Sequence, residues 1–132
     1  MIKGGCICGK IRYELNGKLS SPRSCHCSIC RKTFSSQASA YAEVDHRDFK
    51  WVKGEEQLTT FKTQEDYGLC FCKVCGSTLG GVFMDKIHGL TLGCVDGDPD
   101  IKFEMHIYTD SKANWETLPS DNVPKYSEGP KP

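Results

Sequence analysis

Apolar and polar residues alternate with a period of two along much of this chain, and helical periodicity is weak. Ile11-Arg-Tyr-Glu-Leu15 reads as a half-buried strand, and Ser39 to Val44 as a second. Phe49-Lys-Trp-Val52 and Leu58-Thr-Thr-Phe61-Lys62 flank Gly54-Glu55-Glu56, which predicts a hairpin. Thr78 to Met84 and Leu90 to Val95 are further short strands. Ile101-Lys-Phe-Glu-Met-His-Ile107 shows the cleanest alternation, with Ile101, Phe103, Met105 and Ile107 on one face. One short helical turn is expected between Cys27 and Ser35. These runs predict a mostly β fold of antiparallel sheets in one domain over residues 1–126, with a tail over 127–132. From Pro119 onward, four prolines and few apolar residues predict a surface extension that frays at its end.

Composition makes the core lean. Only 38% of the 132 residues are hydrophobic, and mean hydropathy is −0.46. Lys and Arg total 17 and Asp and Glu total 17, so no net field attracts nucleic acid or an anionic membrane. No run approaches the roughly 20 apolar residues of a membrane helix. The chain opens Met-Ile-Lys-Gly-Gly, without the apolar stretch of a secretory signal. A thiol-rich chain of this kind is expected in a reducing cytoplasm. An odd number of cysteines, nine, argues against a disulfide-stapled secreted domain.

The cysteines carry the chemistry. Seven of them lie in Cys6-Ile-Cys8, Cys25-His-Cys27-Ser-Ile-Cys30 and Cys72-Lys-Val-Cys75. Thiolates one or two residues apart can bind one metal ion without straining the backbone, so these groups read as Zn²⁺ ligands. A CxC pair plus a CxxC pair closes a tetrahedron. A CxCxxC trio leaves one position open, as catalytic sites require. Two zinc sites of unlike kind are therefore expected. Cys70-Phe-Cys72-Lys-Val-Cys75 repeats the CxCxxC pattern, so on spacing alone either trio could be the open one.

The motifs Gly4-Gly-Cys-Ile-Cys-Gly-Lys-Ile-Arg-Tyr-Glu14, Cys25-His-Cys-Ser-Ile-Cys-Arg-Lys32, Phe71-Cys-Lys-Val-Cys-Gly76 and His106-Ile-Tyr-Thr-Asp110, in that order, span most of the chain. Together they resemble the glutathione-dependent formaldehyde-activating enzyme family, which also includes the centromere protein V branch. The resemblance implies an Mss4-like fold of the β-tent type, with twisted antiparallel sheets held by zinc. It implies that Cys6, Cys8, Cys72 and Cys75 form a structural zinc site and that Cys25, Cys27 and Cys30 form a catalytic one. It implies carbon–sulfur lyase chemistry on S-hydroxymethylglutathione, the adduct of glutathione and formaldehyde. Cys70 departs from the family pattern. It either completes the second site and quenches it or lies buried as a small apolar side chain. Cys94, in a predicted strand, reads as core.

Charge supports the same chemistry on separate grounds. Three thiolates on Zn²⁺ leave a net charge of minus one, so the metal is less electrophilic than with three histidines. Such a site favours a further soft ligand, and an incoming small thiol would bind as thiolate. Formaldehyde, a small electrophile, then needs little beyond an oriented sulfur. Arg31 and Lys32, directly after the trio, are candidate partners for glutathione carboxylates, with Arg23 a weaker one. Solvated cations are the alternative.

His26, between two ligands, either serves a substrate oxygen or holds the loop by a hydrogen bond. His106 lies opposite the apolar face of its strand, and His46 and His88 are expected in exposed turns. Trp115, Tyr41 and Phe34 are pocket or core candidates. A zinc-stabilised binding module without catalysis and a redox- or metal-responsive thiol protein are the competing readings. The balanced charge speaks against nucleic acid as the partner of the first.

Overall fold

A computed structural model describes residues 1–130 and is mostly β. Lys131 and Pro132 of the expected 127–132 tail lie outside the described residues. Ten strands form two sheets. The smaller has β1 (Ile2–Gly5), β2 (Arg12–Leu15) and β5 (Phe49–Lys53), with β2 in the centre. The larger contains β3 (Ser20–Cys25), β4 (Ser39–Glu43), β6 (Leu58–Gln64), β7 (Tyr67–Cys72), β8 (Thr78–Phe83), β9 (Lys86–Thr91) and β10 (Met105–Ile107). Its order is β10-β3-β4-β9-β8-β7-β6. Every ladder is antiparallel except β10 on β3, which is parallel. The expected helical turn is α1 (Ser28–Phe34), capped by Cys27 in front and by Ser35 in the left-handed region behind.

Alternation worked where the two faces of a strand differ. In β2, Tyr13 and Leu15 are fully buried while Arg12 and Glu14 are half-exposed. Ile11, Leu79 and Leu90 complete the same core, each with no exposed surface. Burying side chains of this size contributes about 1.5–3 kcal/mol each.

Three expectations are corrected. Phe49–Lys53 and Leu58–Gln64 do not form a hairpin, because β5 joins β2 and β6 joins β7. The cause is aromatic packing: Phe49 and Trp51 lie 5.3 and 6.0 Å from Tyr13, ring centre to ring centre, drawing β5 to the small sheet. The strand expected over Leu90–Val95 lies earlier, at Lys86–Thr91, and Leu92–Cys94 is a 3₁₀ turn. Of Ile101–Ile107 only Met105–Ile107 is ladder-paired, although Ile101, Phe103 and Met105 keep the predicted inward bias.

β1, β3 and β7 had no strand signal. β3 (Ser-Ser-Pro-Arg-Ser-Cys) is polar in composition yet interior to its sheet, and its buried groups are matched by polar neighbours. The segment after Pro119 is largely exposed, as expected, but its backbone is tied down. His106 N–H donates to Pro124 O (2.9 Å) and Tyr126 N–H to His106 O (2.8 Å).

β8 and β9 approach closely at Gly80, where an added Cβ would meet the carbonyl oxygen of Gly89 within contact distance. Gly80→Ala is expected to cost about 1–3 kcal/mol of stability, read from the denaturant midpoint. An unchanged midpoint would show that the sheet yields there freely.

Candidate metal centres

The first cluster stands where the two sheets meet. β1 runs into Cys6-Ile-Cys8-Gly9, and Gly9 N–H donates to Cys6 O (3.1 Å) with Gly9 at φ +77°. β7 ends at Cys72, and Gly76 N–H donates to Cys72 O (2.8 Å) with Gly76 at φ +82°. Both knuckles turn through left-handed backbone that glycine adopts without a Cβ clash. The turns bring Cys6, Cys8, Cys72 and Cys75 Sγ atoms within 4.8 Å of one another. Cys6 and Cys8 Sγ lie 3.5 Å apart, and Cys8 and Cys72 Sγ 3.8 Å. Tetrahedral ligation at a Zn–S distance of 2.3 Å puts sulfurs about 3.8 Å apart, so this donor set fits such an ion. Backbone Ile11 N–H donates to Cys6 Sγ at 3.3 Å. Ser77, which no spacing argument identified, bonds Cys75 Sγ at 3.3 Å and accepts from Ile7 N–H at 3.1 Å. That Ser77 bond is the leading cause that brings the Cys75 thiol down to about 5.

The second cluster is Cys25, Cys27 and Cys30, again within 4.8 Å of one another. Cys25 closes β3, paired to Ser39 of β4 on one side and Ile107 of β10 on the other. Cys27 caps α1 and accepts from Cys30 N–H at 3.3 Å. The neighbouring Cys25 thiol lowers Cys30 to about 6, and Cys30 together with burial raises Cys25. Three convergent sulfurs suit a soft divalent ion with one position left for another ligand.

Among the described residues, no other Cys, His, Asp or Glu joins either group. Cys70 is the buried side chain of the two alternatives. It points into the apolar core from β7, where burial pushes its thiol up to about 12. Cys94 packs against that core from the 3₁₀ turn. None of the nine cysteines forms a disulfide.

A polar array backs the second cluster. The His26 ring is buried, with Nε2 3.0 Å from Ser24 Oγ and Nδ1 2.8 Å from Glu116 Oε1. The Glu116 contact lies off the N–H direction, so it is electrostatic and not an aligned hydrogen bond. Burial lowers the His26 pKa while Glu116 opposes the shift. Ser24 Oγ also meets His106 Nδ1 at 2.5 Å, and His106 Nε2 is 3.8 Å from Asp121. Both His26 ring nitrogens thus face protein groups, which favours its loop-holding role. Ser24, Glu116 and Asp121 left no trace in the sequence pattern: Ser24 is one polar residue inside β3, and Glu116 and Asp121 reach the array only through the chain after β10.

The remaining candidates separate. Arg23 is buried and engaged by Glu43 at 2.9 Å. Arg31 and Lys32 have no carboxylate within ion-pair distance among the described residues, and Arg31 Nε is buried without a partner. They line a cavity of about 510 Å³ together with Ser35, Ser36, Gln37 and Trp115, a size suited to a small organic ligand. Trp115 is therefore on the cavity wall, while Phe34 is half-buried on α1. Tyr41 bonds His88 Nδ1 at 2.9 Å. That contact, with burial, corrects the expectation of an exposed His88, whereas His46 is exposed as expected. No helix among the described residues is long and apolar enough to cross a membrane.

Known proteins resemble this chain in sequence and fold. A Halomonas elongata protein named "Putative glutathione-dependent formaldehyde-activating enzyme" is 28% identical over 132 positions, covering 91% of this chain and 82% of its own. The crystal structure of a Rhodobacter sphaeroides protein superposes with a TM-score of 0.56 at 27% identity, covering 73% of this chain and 89% of that one. Residues 1–111, which contain both sulfur clusters, match the glutathione-dependent formaldehyde-activating enzyme family. The chain belongs to that family.

Proposed function

We propose that this protein is a zinc-dependent carbon–sulfur lyase that forms or cleaves the adduct of glutathione, or a similar small thiol, with formaldehyde. The observation that carries this reading is the three-sulfur cluster of Cys25, Cys27 and Cys30, with no fourth protein donor among the described residues. Cys6, Cys8, Cys72 and Cys75 would hold a structural zinc, and Cys25, Cys27 and Cys30 a catalytic one. Zinc in a sulfur-rich site supplies a soft Lewis acid that keeps a bound thiol ionised near neutral pH.

The chain's own residues do the rest. Cys25 is fixed by ladders on both sides, and Cys27 and Cys30 are fixed by the cap of α1. His26, held by Ser24 and Glu116, keeps the connecting loop in one conformation. Arg31 lies one helical turn beyond Cys27, whose carbonyl accepts its N–H at 3.0 Å. There it and Lys32 would orient the thiol by its carboxylates. In the forward direction the sulfur bonds to the carbonyl carbon, and the C=O π pair moves to oxygen. The proton shed by the thiol ends on that oxygen. The reverse reaction returns thiol and aldehyde, and neither direction transfers electrons to a carrier. The uncatalysed addition is already easy, so orientation and thiol ionisation are sufficient sources of rate.

The direct test is adduct exchange followed by NMR on metal-loaded protein. Exchange faster than in buffer is expected, and buffer-level exchange at full metal loading would refute the activity. The ligand allocation has its own test. Cys72→Ser is expected to unfold or aggregate the chain, because a closed structural site contributes on the order of 10 kcal/mol. Cys27→Ser is expected to lose one metal equivalent and the activity while keeping most of the circular dichroism signal. Equal destabilisation by both substitutions would show that the roles are assigned wrongly.

A further inference from the structure

The family match ends at residue 111, yet the next few residues return to the second cluster. Ala113 is buried, Glu116 N–H donates to Ala113 O (3.2 Å), and Lys112 Nζ donates to Glu116 O (2.9 Å). This closes a tight turn. On its inner side Glu116 reaches His26 at 2.8 Å with 18% of its side chain exposed. On its outer side Trp115 is 75% exposed and forms a wall of the 510 Å³ cavity that Arg31 and Lys32 also line. The turn is anchored on both flanks, by Lys112 N–H to Thr109 O (3.2 Å) and by the bonds from β10 to Pro124 and Tyr126. The indole is thus presented at a fixed place, one residue from a group in contact with the metal-binding loop.

An exposed indole beside two unpaired cations matches one kind of small molecule: flat, amide-containing and anionic. We infer that Trp115 is a specificity-determining residue for the thiol cosubstrate. In that role its indole covers the amide planes of an anionic peptide thiol whose carboxylates meet Arg31 and Lys32. A thiol without peptide groups, such as 2-mercaptoethanol, would reach the three sulfurs but touch neither the indole nor the cations. The inference rests on the reading of Cys25, Cys27 and Cys30 as the thiol's seat and adds the element that selects among thiols. That element lies beyond residues 1–111, which the family model matches.

Two measurements test it on the full, metal-loaded chain. The first uses S-methylglutathione, which keeps the amides and carboxylates but has no free thiol. Its addition is expected to move the indole N–H resonance of Trp115, identified by its absence in Trp115→Phe, while that of Trp51 stays in place. A stationary Trp115 resonance at millimolar ligand would overturn the inference. The second compares adduct exchange with glutathione and with 2-mercaptoethanol. The ratio of the two rates is expected to fall about tenfold in Trp115→Ala and to recover in part in Trp115→Phe. An unchanged ratio would also overturn it. Trp115 is exposed, so its replacement leaves the core packing intact, and metal content checks this directly. A shifted resonance in a protein that fails to speed exchange would support the binding role while removing the lyase reading, so the two failures are distinguishable.

Discussion

Four sulfurs meeting between two sheets are the constraint on which the architecture turns. No ladder joins the three-stranded sheet to the seven-stranded one. Cys6 and Cys8 follow β1 of the first, and Cys72 ends β7 of the second. Cys6 and Cys72 are also buried members of the same core as Tyr13 and Leu79, so the cluster and the apolar packing form one body. A chain with 38% hydrophobic residues has little apolar area to hold two sheets together. Sulfur ligation at their junction would make good that shortfall.

The second cluster is built on different physics. Its surroundings are buried but polar: Arg23, Ser24, His26 and His106 all have little exposure. Such groups are costly unless each meets a partner. They are arranged so that Ser24 serves two histidines, Glu116 meets one of these, and Glu43 takes Arg23. The result is a stiff backing behind Cys25, Cys27 and Cys30, with a cationic and aromatic cavity alongside. Rigidity behind the ligands and openness beside them are what a thiol-activating site requires.

The sequence made the two sulfur clusters legible because ligand spacing is a local property. The turns at Gly9 and Gly76 and the cap at Cys27 bring each pair together within a few residues. It also marked strands whose two faces differ, such as β2. It was silent about β3, whose burial is bought with hydrogen bonds and so carries no apolar pattern. It was equally silent about β7, where Gly68, Cys70 and Cys72 form the inward face. The false hairpin arose because proximity in sequence outweighed the aromatic pairing of Phe49 and Trp51 with Tyr13. Glu116 was invisible for a deeper reason. Its role exists only once β10 lies parallel to β3, and a parallel pairing over some eighty residues leaves no local mark.

The parallel ladder of β10 on β3 has a consequence for how the protein comes into being. During synthesis the four sheet-joining sulfurs are all available once residue 75 has emerged. The backing of Cys25, in contrast, waits for Met105–Ile107 and the contacts from Glu116 to Tyr126. Contacts so distant along the chain carry a large closure entropy and form slowly. The nascent chain can therefore acquire its framework well before the surroundings of Cys25, Cys27 and Cys30 are shaped, so the proposed thiol seat is completed last, on a scaffold already standing.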